Sequence, residues 1–212
     1  MEVNNAKHLR AAYRDITSLK VLDETLKEAA KETKAGTWII DEVNIIYEMI
    51  VTDICETERI LDLSELGFGK GWSAAKKRFR EYIRRFLALP GGHIFTAHEE
   101  EKQAQTRNNR SVSKSEARLS KEANRVMEEC THSWFVMNFD ADGNRYLQIK
   151  GDDYVKAGHG FEGRFTLIED GKIPLGNSPE QGYRNFVAAW NNEPIKKVVT
   201  GKKPTFKVKT NA

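Results

Sequence analysis

The 212-residue sequence is poor in most of the features that would assign it a class at a glance. It has two cysteines, Cys55 and Cys130, too few for a disulfide framework, so a reducing cytosolic setting is expected. No apolar run approaches the roughly 20 residues of a membrane-spanning helix. The opening MEVNNAKHLR lacks the apolar stretch of a secretory signal. The five histidines show no H-x-x-x-H spacing and there is no C-x-x-C pair, which removes the common transition-metal motifs. The acids Asp41, Glu42, Asp140, Asp142, Asp152 and Asp153 do not fall at nuclease-like spacing, which weighs against an independent metal-dependent nuclease. No internal repeat is present.

Hydrophobic residues at 39% and charged residues at 31% suit a core beneath a heavily charged surface. The 34 Lys and Arg outnumber the 31 Asp and Glu by three. Six of those lysines (Lys196, Lys197, Lys202, Lys203, Lys207 and Lys209) follow residue 195 with no acid among them, so residues 1–195 sum to 28 minus 31, or −3. The expected division is a body over 1–193 and a Lys-rich tail over 194–212. A solubilising end is the plain reading of that tail, with Val198, Val199, Phe206 and Val208 leaving room for an added strand.

Periodicity then sets out the elements. Leu19, Leu22, Leu26, Ala29 and Ala30 recur at helical spacing behind a Ser18 cap, predicting a helix over 18–33. Thr37-Trp38-Ile39-Ile40 predicts a short buried strand ending on Asp41-Glu42. Helices follow over 43–60 and, after Gly67-Phe68-Gly69-Lys70-Gly71, over 72–89, where an apolar stripe is flanked by Lys76, Lys77, Arg80, Arg84 and Arg85. His93–Ala97 predicts a second strand that ends on His98. Residues 99–116 are almost wholly polar and predict a mobile loop. A helix over about 116–130 comes next, then a hairpin around Asp140-Ala141-Asp142-Gly143 and a strand in GRFTLIEDGKI. Ser178-Pro179 opens a last helix. The alternation predicts an α/β sheet with an antiparallel extension.

An apolar strand closed by an acid sets a carboxylate at the carboxyl edge of a sheet, where ligands of open α/β folds bind. In nucleotide-hydrolysing folds such an Asp holds magnesium, and a following Glu orients or deprotonates water. By itself the pattern reads more readily as a strand end with a helix-capping Asp, and His98 as a surface histidine.

The ordered succession TWIIDEVNIIYE, then FGKGWSAAKKRFREYIRRFLALPGGHIFTAHEEEK, then a polar loop and hairpin, resembles the RecA-like phage ATPases. Within them it is similar to the AAA-type nucleotide-binding proteins found beside phage single-strand annealing and recombination genes, over roughly residues 18–190. The resemblance implies a RecA-like P-loop NTPase core with a C-terminal β-hairpin extension, ATP and Mg2+ as cofactors, and work in DNA recombination or replication in a bacterial host cytoplasm. Asp41 matches the Walker B acid and metal ligand, Glu42 its neighbour and His98 the phosphate sensor. Residues 99–115 fall where that family contacts DNA, and Lys150 where a basic residue reaches a neighbouring subunit's nucleotide. Homo-oligomers or phage recombination proteins are the implied partners.

One departure bears on all of this. The phosphate-cradling G-x-x-x-x-G-K-[ST] occurs nowhere in 1–212. Its backbone nest, lysine and magnesium-binding hydroxyl are therefore missing. Gly67–Ser73 has the glycines and a lysine at the wrong spacing. The expected fold is a core truncated at its Walker A strand and helix: part of a longer ATPase, or a variant without that half. One donor of this kind is worth about 3–4 kcal/mol, so vigorous ATP hydrolysis by the chain alone is not expected. The alternative is a degenerate, non-catalytic DNA- or protein-binding module. Arg107, Arg110, Lys114 and Arg118 are the candidate contacts to single-stranded DNA, with the basic helix 72–89 and the tail adding a salt-sensitive term. Glu99, Glu100 and Glu101, and the want of an aromatic to stack bases, count against this, so a solvated loop and a DNA-binding one stand about level.

Overall fold

A computed structural model describes residues 12–32, 34–105 and 111–195. The described residues fall into two compact units, one drawn from Met1–Lys102 and Ser115–Thr131, the other from Gln103–Lys114 and His132–Ala212.

In the first unit, α1 (Leu19–Ala29) starts where Ser18 accepts a hydrogen bond from the Val21 amide, and ends short of the predicted residue 33. Next come β1 (Thr37–Ile40), α2 (Val43–Glu58), a 3-10 turn (Leu63–Leu66), α3 (Lys70–Leu87) and β2 (Gly92–Phe95). After α3, the apolar stripe dictates the packing. Ala75, Phe79, Tyr82, Ile83 and Phe86 are buried, with Phe79 edge-on to Tyr47 of α2 at 5.5 Å between ring centres.

Several of the cations beside that stripe have acidic partners on neighbouring helices. Arg78 pairs with Asp53 of α2, and Arg85 with Asp23 of α1. Lys76 and Arg80 share Glu129 of α4 (Lys121–Cys130), at 3.3 and 2.5 Å. Three helices are thus tied to one. Helix α4 begins later than predicted, because Ser120 accepts from the Ala123 amide and fixes the cap there.

Strands β1 and β2 lie parallel, in register from Thr37 opposite Gly92 to Ile40 opposite Phe95. The first was expected to be buried. Instead Ile39 and its partner Ile94 are 59% and 50% exposed. A sheet of two strands packs helices against one face and has no further layer on the other. On the packed side, Phe95 meets Phe86 edge-on at 6.4 Å.

The predicted mobile loop is also corrected. Residues Glu99–Gln105 (β3) and Ser111–Ala117 (β4) pair as a two-stranded sheet. Polar contacts substitute for apolar ones: Ser115 bonds Glu99, and Lys102 Nζ reaches Glu100 at 2.6 Å and Glu116 at 2.8 Å. Those two carboxylates hold the Lys102 ammonium above its ordinary pKa. Cross-strand charge pairs are a recognised unit of sheet stability, and they leave no apolar pattern to read.

The second unit contains β5 (Ser133–Trp134), β6 (Val136–Phe139), β7 (Arg145–Gln148), β8 (Gly158–His159), β9 (Lys172–Pro174) and α5 (Pro179–Trp190). β6, β7 and β9 form an antiparallel sheet in that order, and β5 pairs with β8. The β6–β7 turn is organised by Asp140, whose Oδ1 accepts from the amides of Asp142 and Asn144 at 2.9 and 2.8 Å. Of the strand predicted in GRFTLIEDGKI only Lys172 and Ile173 are extended, as the start of β9. Upstream of it Phe165 takes a positive φ of 59° and is buried against Phe135 and Trp190. Core burial of that ring outweighs strand propensity. Ser178 caps α5, with Pro179 in its first turn. Among the described residues the strands make four small sheets, not one continuous α/β sheet.

Candidate functional site

The parallel register of β1 and β2 brings the residues after each strand side by side. Thr96 donates its amide to Ile40 O at 2.9 Å and its hydroxyl to Asp41 Oδ1. Its carbonyl accepts the Val43 amide at 3.0 Å, which fixes where α2 begins. Glu42 occupies the N-cap position of α2 with extended backbone and makes no side-chain cap, so its carboxylate is free for other partners. It meets His98, with Oε1 and Nε2 2.5 Å apart. The His98 side chain is 74% exposed. Asp41, Glu42 and His98 therefore share one rim, the carboxyl edge of the parallel pair.

Thr96 is the member that sequence reasoning did not single out. Its place follows from the register, since a residue one past a strand faces the residue one past its parallel partner. Arg118 also approaches, donating its amide to His98 O at 2.7 Å. Its guanidinium is exposed and has no acidic partner among the described residues. Beside it a groove of about 460 Å3 runs along α2, lined by Asn44, Tyr47, Val51, Thr52, Arg118 and Leu119 among others. Burial and the charge of Glu122 raise the Tyr47 phenol above its ordinary pKa. The Ser120 hydroxyl counters that shift, but it is committed to the Ala123 amide, and the buried Tyr47 hydroxyl has no aligned hydrogen-bond partner.

The other predicted residues lie elsewhere. Lys150 belongs to the second unit, exposed beside a recess of about 240 Å3 shared with His159, Phe165 and Ile168. Lys114 is a half-buried residue of β4. Arg107 and Arg110 lie outside the described residues, as does nearly all of the Lys-rich tail. Gly69 is the N-cap of α3, which follows a 3-10 turn rather than a strand.

A family model described as an AAA domain matches residues 3–160, three quarters of the chain. The chain belongs to the AAA domain family. That span includes Asp41, Glu42, Thr96, His98 and Lys150 of this AAA domain and ends before β9 and α5. No curated protein and no solved structure matches the chain.

AAA-type ATPases generally use ATP and Mg2+. Among the described residues no group of three or more His, Cys, Asp or Glu is placed to hold a metal. Mg2+ in phosphate-binding sites ordinarily takes one or two carboxylates and completes its shell with water and phosphate oxygens. Asp41 fits that use, since Thr96 bonds one carboxylate oxygen and, among the described residues, the other has no hydrogen-bond donor. No described helix is long and apolar enough to cross a membrane.

Proposed function

We propose that this AAA domain supplies the acid-and-sensor rim of an ATP–Mg2+ site whose phosphate-cradling loop comes from outside the 212 residues. The observation that carries the reading is the meeting of Asp41, Glu42 and His98 on the carboxyl edge of β1 and β2, with Glu42 against His98. Asp41 would hold the ion, directly or through water. Glu42 would orient water or accept its proton, and His98, touching Glu42, would convey the state of the phosphate to it. When bound, Mg2+ neutralises phosphate charge. The work served is phage-type DNA recombination or replication, on single-stranded DNA contacted through Arg118 and Lys114 and through Arg107 and Arg110. Lys150 would reach the nucleotide of a neighbouring subunit.

Calorimetric titration of ATP with and without Mg2+ tests this, in the presence of a P-loop-bearing partner. Magnesium-dependent binding that Asp41→Asn removes is expected. Binding unaffected by that substitution, or none at all, sinks the reading. The absent G-x-x-x-x-G-K-[ST] favours a second reading, a non-catalytic module whose binding to DNA or protein ignores ATP and survives Asp41→Asn.

A further inference from the structure

The groove along α2 holds a polar group with nothing to bond. Asn44, Tyr47, Val51 and Thr52 recur at helical spacing and make up the side of α2 that lines it. Tyr47 is 3% exposed, and its ring is fixed edge-on against Phe79. The hydroxyl at its tip is buried and has no aligned hydrogen-bond partner among the described residues. The neighbouring Ser120 hydroxyl is committed to the Ala123 amide at 3.1 Å, and Ser120 lines the same groove. A buried hydroxyl without a partner costs stability that a phenylalanine in its place would not. A ligand that brings a donor or acceptor to it removes that cost on binding.

Walls and mouth narrow the choice of ligand. Val51 and Leu119 are apolar, and the volume of about 460 Å3 lies within the roughly 300–1,000 Å3 of small-ligand sites. The acids of the groove are engaged, Glu48 by the Asn44 side chain and Glu100 by Lys102, both at 2.6 Å. The Arg118 guanidinium is exposed and has no acidic partner among the described residues. An apolar slot, a hydroxyl that can donate or accept, and a cation at the mouth suit a flat ring with a polar edge and a phosphate beside it. A nucleobase in a strand presents all three features. Residues 99–121 contain no aromatic to receive bases, and the slot supplies apolar surface from α2 instead.

Building on the reading of Arg118 as a contact to single-stranded DNA, we propose that the groove between α2 and Arg118–Ser120 receives one unstacked base of the strand. A polar atom of that base meets the Tyr47 hydroxyl, and the adjoining phosphate meets Arg118. Because a hydroxyl serves as donor and as acceptor, the slot accepts more than one kind of base. A duplex, whose bases are paired and stacked, has none to offer without opening.

Fluorescence anisotropy of the full chain with a labelled oligothymidine of about 16 nucleotides, at one fixed salt concentration, tests this. Tyr47→Phe deletes the hydroxyl and keeps the ring against Phe79. It should weaken binding about fivefold while the melting temperature holds or rises. Thr52→Trp, at an exposed position on the groove wall, should fill the slot and weaken binding at least about tenfold. A strand of abasic sugars separates base from backbone: it should bind wild type weakly and respond to neither substitution. Arg118→Gln should weaken both strands and lower the log–log salt slope by about 0.7. Tyr47→Phe and Thr52→Trp proteins that bind DNA like wild type, while Arg118→Gln binds worse, would overturn the base slot and leave the DNA reading standing. A wild type that binds no strand overturns both. A lowered melting temperature in Tyr47→Phe also counts against the slot, by showing that the hydroxyl is already satisfied. So does thymidine monophosphate bound as tightly as the strand, since the slot would then serve free nucleotides.

Discussion

Thr96 spends its amide, hydroxyl and carbonyl on Ile40, Asp41 and Val43, so one side chain and its backbone tie the end of β1, the first acid and the start of α2 together. Hydrogen bonds to charged groups exceed neutral ones, though exposure tempers the gain. Thr96→Val is accordingly expected to cost about 1 kcal/mol in urea denaturation, and Thr96→Ser to restore most of it. A valine variant as stable as wild type would show that the hydroxyl contributes nothing to the rim. Deeper in the first unit, Phe79 is fully buried and edge-on to Tyr47. Phe79→Ala should cost about 3–5 kcal/mol, since the ring leaves a cavity the surrounding helices cannot refill. Asp41, Glu42 and His98 were legible in the sequence because a strand followed by an acid is a local pattern. Thr96 was not, because its importance arises from the register of a strand 55 residues away.

At the level of elements, α3 ties its neighbours together: Lys76, Arg78, Arg80 and Arg85 hold neighbouring helices through Asp23, Asp53 and Glu129. Arg80 first and Lys76 next hold the Glu129 carboxyl below its ordinary pKa. A lowered folded-state value means the stabilisation is present above the unfolded value of 4.5 and fades as pH falls through the folded one. Glu129→Gln should therefore lower stability at pH 7 and leave it nearly unchanged in strong acid, as denaturant melts at the two pH values will report. The β3–β4 pair was not legible in the sequence. Periodicity reads apolar alternation, and Glu99, Glu100, Lys102, Ser115 and Glu116 build their contacts from polar atoms. Caps fared better: Ser18 and Ser178, both predicted, each accept an amide of the first turn, a bond that depends on only three or four successive residues.

For the whole molecule, charge is the property most open to a direct check. Residues 196–212 carry six lysines and no acid, so removing them takes the formal net charge from +3 to −3. The shortened protein should leave a cation exchanger at pH 7 and be held by an anion exchanger. Any affinity for heparin should lose salt dependence in proportion, by a log–log slope of up to about 5. Continued attachment to heparin with an unchanged slope would place the polyanion contact elsewhere. The pairing of Asp41 with Thr96, 55 residues apart, also has a kinetic side. Closing so long a span costs chain entropy that helical turns do not. The intervening helices α2 and α3 can form from near neighbours first, and the parallel ladder must wait for them. In pulse-labelling hydrogen exchange the Thr96 and Val43 amides should gain protection after those in the middle of α3, making the rim the last part of its unit to mature.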